Sequence, residues 1–199
     1  MQRLRIFIFI FFPIISFRGI AQHADLSEVK YSNSFDDPSK NTSWINSNTI
    51  VMGTDTSRKY ISKTDAQNPY SAGIEVEIPE QLKRKNFRIS VMCNVNKIPG
   101  VNNQLVISIA KSDSAVYWDG FQIDGSNTKL SLHPIEAPGR ASDSRSWYTL
   151  NMSSLIPGNI PIDSKIKIYV WNADGKSETD VDDMEITFTE TPLTSFLPK

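Results

Sequence analysis

Apolar and polar residues alternate along most of this chain, most cleanly near its C-terminal end. Ile166, Ile168 and Val170 interleave with Lys165, Lys167, Tyr169 and Trp171, and after a polar turn residues 181–188 alternate again. A period of two belongs to a strand with one face on a core and the other in water. In the second stretch Met184, Ile186 and Phe188 share a parity with Asp182, so the pattern predicts a carboxylate facing inward. A buried carboxylate requires a cation, a metal ion or several hydrogen-bond donors.

The same periodicity predicts strands at 33–37, 49–52, 59–63, 73–78, 87–96, 104–110, 116–124, 130–132 and 147–152, separated by clusters of Gly, Pro, Asn and charged residues. No helical stripe of ten residues occurs outside the first 21. The expected fold is all-β: an antiparallel two-sheet β-sandwich of about ten strands. It occupies 33–190, after a polar leader at 22–32 and before a C-terminal tail at 191–199.

Parity also sorts side chains into inner and outer sets. Phe121 and Ile123 read as inward, which leaves Trp118, Gln122 and Asp124 outward. Tyr169 and Trp171 are outward on the strand at 165–171, and Arg88, Ser90, Met92 and Asn94 on the strand at 87–96. Trp44 and Trp147 sit beside turns and are expected to pack. Sugars are bound by flat aromatic faces flanked by amides, carboxylates and guanidinium groups. Trp118, Gln122, Asp124, Tyr169, Trp171, Arg88 and Asn94 are therefore the candidate ligand residues, if their strands share a sheet. The competing role for each tryptophan is packing under a loop.

The first residues change the cellular setting. Arg3 and Arg5 precede an apolar run over 6–17, and Gly19, Ile20 and Ala21 give a small-residue cleavage site. Residues 1–21 thus read as a signal peptide, cut near Ala21, and predict a secreted protein, periplasmic or extracellular. The run is too short to span a bilayer, so no membrane span is expected after cleavage. The whole chain has 199 residues, with 21 Lys+Arg and 22 Asp+Glu. Losing Arg3, Arg5 and Arg18 leaves 18 against 22, a net charge near −4. That balance argues against nucleic acid as a partner. Cys93 is the only cysteine, which rules out an internal disulfide, and its inward parity predicts an inert buried thiol.

Ser34, Phe35, Asp36 and Asp37 with Trp44 after them, the run 87–95, the Ser146-Trp-Tyr-Thr-Leu150 segment and the acidic pair in 181–186 together resemble carbohydrate-binding-module or galactose-binding-like jelly-roll domains of secreted bacterial proteins. The resemblance implies a non-catalytic carbohydrate-binding protein. It also implies a structural Ca²⁺ with Asp36 and Asp182 as ligands. Asp36 stands where such domains usually carry Glu, one methylene longer. A protein-interaction or adhesion module is the alternative function.

Some sandwiches of this kind are polysaccharide hydrolases or lyases. A hydrolase needs two carboxylates roughly 5–10 Å apart. Glu75 and Glu77 share a face but lack further acids around them. The chain has two histidines, His23 beside the cleavage site and His133 before Pro134 in a loop, so no histidine-based triad or multi-histidine metal centre is expected. The sequence therefore predicts no catalytic residues and no enzyme.

Overall fold

The computed structural model describes residues 27–53, 58–97, 102–124, 129–135, 146–176 and 178–192. The expected signal peptide, residues 22–26 of the leader and most of the tail lie outside them. Eleven strands form two antiparallel sheets. They are β1 (Glu28–Asn33), β2 (Ile50–Met52), β3 (Tyr60–Thr64), β4 (Ile74–Glu77), β5 (Phe87–Lys97), β6 (Asn103–Lys111), β7 (Ser114–Gln122), β8 (Leu130–Pro134), β9 (Ser146–Ile156), β10 (Lys165–Asn172) and β11 (Thr179–Glu190). The larger sheet runs β2-β3-β11-β5-β9-β8, with β1 also paired to β11. The smaller runs β4-β10-β6-β7. The predicted β-sandwich is therefore the observed fold.

Alternation builds the core. Ile89, Val91, Cys93 and Val95 of β5 face Leu105, Ile107 and Ile109 of β6 and Ile166, Ile168 and Val170 of β10 in one buried cluster. Such burial is the main stabilising term for a chain with no disulfide. Cys93 belongs to it, and burial pushes its thiol up to about 12. It is an inert core residue, as expected. Polar bridges join the layers at the edge of this cluster. Ser62 Oγ accepts from Ala72 N at 2.7 Å and shares a proton with Thr49 Oγ1 at 2.8 Å, while Asn103 Nδ2 donates to Thr179 Oγ1.

Two expectations need correction. The first strand is not 33–37 but β1, where Val29 and Tyr31 pack on the core. At Asn33 the chain turns instead. The Asn33 side chain accepts from Phe35 N at 2.8 Å, and Asn41 Nδ2 donates to Phe35 O at 2.9 Å. These bonds hold Phe35 at φ 61°, a conformation a bulky residue rarely adopts without outside restraint. The turn drives the Phe35 ring into the core, edge-on to the buried Trp44.

The second correction concerns Asp182. A β-bulge interrupts the pairing of β11 with β5 between Asp182 and Glu185, and Asp183 takes φ 49°. A bulge inserts one residue and reverses the alternation beyond it. Thr179 and Val181 face inward before it, Met184, Ile186 and Phe188 after it. Asp182 falls on the outer face, opposite Asn94. It is buried all the same, 4 % exposed, beneath Arg58.

Candidate functional site

The outer face of the smaller sheet gathers the aromatics that parity had turned outward. Trp118 and Gln122 come from β7, Tyr169 and Trp171 from β10, and β6 lies between them. Three cross-strand rows result: Gln122, Gln104 and Trp171; Gly120, Val106 and Tyr169; Trp118, Ser108, Lys167 and Glu75. Trp118 is 52 % exposed, a high value for a residue that is usually well buried. Tyr169 and Trp171 are half-buried, and Asp124 is exposed two residues beyond β7.

Glycine shapes this surface. A Cβ on Gly120 would lie 2.6 Å from the Trp118 ring and 2.2 Å from Gln104 Oε1. The indole therefore lies along its own strand, across the glycine, and Val106 in the same row is fully buried. Gln104 Oε1, tucked in beside the ring, has no hydrogen-bond partner among the described residues. Tyr70 joins from the loop before β4. It bridges to Trp171 in antiparallel fashion and meets the Tyr169 ring edge-on at 5.4 Å. Burial pushes the Tyr169 hydroxyl above its ordinary pKa, so it stays a neutral donor at physiological pH.

One border of the face is charged. Glu75 pairs with Lys167 at 2.8 Å and Lys165 at 3.1 Å. Hydrogen bonds from these lysines hold its carboxyl below the usual carboxylate range. An acid so stabilised in its ionised form is a poor proton donor near neutrality.

Arg88 and Asn94 lie elsewhere, on the outer face of the larger sheet with the sandwich between them and the aromatics. The error was one of sheet assignment, since both side chains do point outward. Arg88 Nη1 donates to Ser153 Oγ at 2.8 Å. Asn94 donates to Asp183 Oδ2 at 2.9 Å and accepts from Thr149 at 3.1 Å. Gln104 and Tyr70 were missed from sequence. Alternation in β6 already marked Gln104 as outward, whereas a loop residue such as Tyr70 carries no periodic signal.

The donors expected to hold calcium are already engaged. Asp36 is exposed and accepts from Tyr60 N at 3.1 Å. Asp182 receives Arg58 Nη1 on Oδ2 at 2.7 Å and the Asp183 N–H on Oδ1 at 2.9 Å. A guanidinium bound to the carboxylate leaves it a poor calcium ligand, because the ion needs roughly six to eight hard oxygens. Among the described residues no cluster of three or more His, Cys, Asp or Glu side chains could hold a metal ion. The residues present do not fit a calcium held by Asp36 and Asp182. No helix among the described residues is long and apolar enough to cross a membrane.

No family model matches the chain, and no curated protein matches it either. Among solved structures it is similar to an arabinose-bound α-L-arabinofuranosidase, MgGH51, at 10 % identity and a TM-score of 0.41. The match covers 83 % of this chain and 23 % of that one, so the chain spans less than a quarter of the enzyme's length. A likeness so distant assigns no activity.

Proposed function

We propose that this protein is a secreted, non-catalytic carbohydrate-binding module, with the outer face of the smaller sheet as its glycan platform. The observation that carries the reading is the half-exposed Trp118 on the same sheet face as Tyr169 and Trp171. Sugar rings stack their C–H faces on such aromatics, and the amides of Gln104 and Gln122 lie in the adjoining row to meet hydroxyl groups. Tryptophan is highly buried on average, so one this open, on a face shared with two further aromatics, supports a contact role. Exposed Val116 on the same edge strand favours a second reading, a protein-interaction or adhesion surface.

Affinity gels and glycan arrays compare wild type with Trp118→Ala and Trp171→Ala. Retardation by a polysaccharide that both substitutions abolish, in variants with unaltered circular dichroism, supports the glycan platform. Failure of folded wild type to bind any glycan rejects it, and capture of a protein partner through Trp118 favours the second reading.

A further inference from the structure

The opposite face of the sandwich carries a hollow of about 420 Å³ over β11, β5, β9 and β8. Its floor is made of two adjoining cross-strand rows, mostly of polar side chains. Thr187, Ser90 and Ser153 form one, and Glu185, Met92, Asn151 and Ser131 the other. Small side chains in the middle and long ones around them create the depression. The volume lies within the range of small-ligand sites.

We infer that this hollow binds one acidic sugar unit, a uronate, by a route independent of the aromatic face. The floor supplies hydroxyl groups from Ser90, Ser131 and Thr187 and an amide from Asn151. Met92, 41 % exposed, offers an apolar surface to a sugar C–H face. The charge preference comes from beside the floor, where Arg88 lies one cross-strand row beyond Ser90 and Ser153. Arg88 spends one N–H on Ser153, and its planar fork can take a carboxylate in bidentate fashion. Lys129 lines the hollow as a second cation, 3.6 Å from Asp119. The acid within the hollow, Glu185, is neutralised by Lys30 at 2.7 Å. Since the chain without residues 1–21 carries a net charge near −4 (18 Lys+Arg against 22 Asp+Glu), the attraction is local. It suits a single carboxylate better than a long polyanion.

Titration calorimetry with the methyl glycoside of glucuronic acid, beside methyl glucoside, tests the assignment. The expected result is binding of the acidic glycoside at least tenfold tighter than the neutral one. Arg88→Ala should remove that preference, Arg88→Lys should retain part of it, and Asn151→Leu should weaken both ligands. Trp118→Ala should leave the acidic affinity unchanged, which separates this site from the aromatic platform. Equal binding of the two glycosides, absence of binding by folded wild type, or loss of the acidic ligand in Trp118→Ala but not in Arg88→Ala would each overturn the assignment.

Discussion

Arg58 and Asp182, 124 residues apart in the chain, form a buried ion pair at 2.7 Å on the outer face of the larger sheet. The guanidinium also stacks on Trp147, 4.1 Å from the ring centroid, and reaches Asp183 at 3.4 Å. One cation thus answers the question raised by a buried carboxylate in the alternating pattern. It also gives Trp147 its role, as the platform under the arginine.

Arg58→Met should destabilise the protein by about 3–5 kcal/mol, because it strands Asp182 as an uncompensated buried charge. The double variant Arg58→Met/Asp182→Asn should recover much of that loss, since no lone charge remains. Burial is the largest influence on Asp182 and raises its pKa, although Arg58 opposes it. A raised carboxylate pKa means that the folded state holds the proton more tightly than the unfolded chain does. Stability linked to this group is therefore greatest below the unfolded value and falls as pH climbs through the folded one. Without Arg58 the pKa rises further, so the gap between wild type and Arg58→Met should narrow on acidification. Denaturant midpoints at neutral and acid pH measure it; a gap independent of pH would show that the loss is one of packing on Trp147.

Gly120→Ala probes how the aromatic face is laid down. Its Cβ would collide with the Trp118 ring and Gln104 Oε1, and overpacking of this kind costs about 1–3 kcal/mol. The indole is the more mobile neighbour, so it should lift off the sheet. The measurable signature is altered tryptophan fluorescence together with changed glycan affinity, with the circular dichroism spectrum retained.

The strands were legible because alternation holds along most of both sheets, and every strand except β1 and β9 lies within two residues of its predicted bounds at either end. Asp182 was misplaced because a single left-handed residue, Asp183, resets the parity, and parity read from sequence assumes none. The adjacent acids held a trace of that event, since Asp tolerates this conformation better than most residues. Arg88 and Asn94 were grouped with the wrong aromatics for a different reason. Alternation tells inside from outside but not which of two sheets a strand joins, because pairing is settled by contacts between residues far apart in sequence. Arg58, beside a segment with no periodic signal, could not have been paired with Asp182 from sequence alone.

Chelation should leave the thermal midpoint unchanged. An ion bound only to the folded state must raise stability, yet the carboxylate oxygens of Asp182 are taken up by Arg58 and a backbone N–H. Asp36→Ala should cost only about 1 kcal/mol, the ordinary value of the hydrogen bond it accepts from Tyr60 N. A midpoint that falls with chelator and is restored by calcium would restore the metal site.

Trp118→Ala and Phe121→Ala lie three residues apart on β7, on opposite faces of one strand. Phe121 is fully buried in the core, and truncating such a ring costs about 3–5 kcal/mol through lost burial and the cavity left behind. Trp118 is half exposed, and its indole rests across a glycine with no hydrogen bond or ring pair to another described side chain. Its removal should cost about 1 kcal/mol or less, since surface substitutions usually stay within about 0.5 kcal/mol and this ring keeps some contact with the sheet. Glycan affinity should fall by about tenfold or more, equivalent to about 1.4 kcal/mol of binding. Denaturant unfolding and affinity electrophoresis on the two variants decide the matter. Should Trp118→Ala prove as destabilising as Phe121→Ala, the indole is part of the core and the smaller sheet presents no stacking platform.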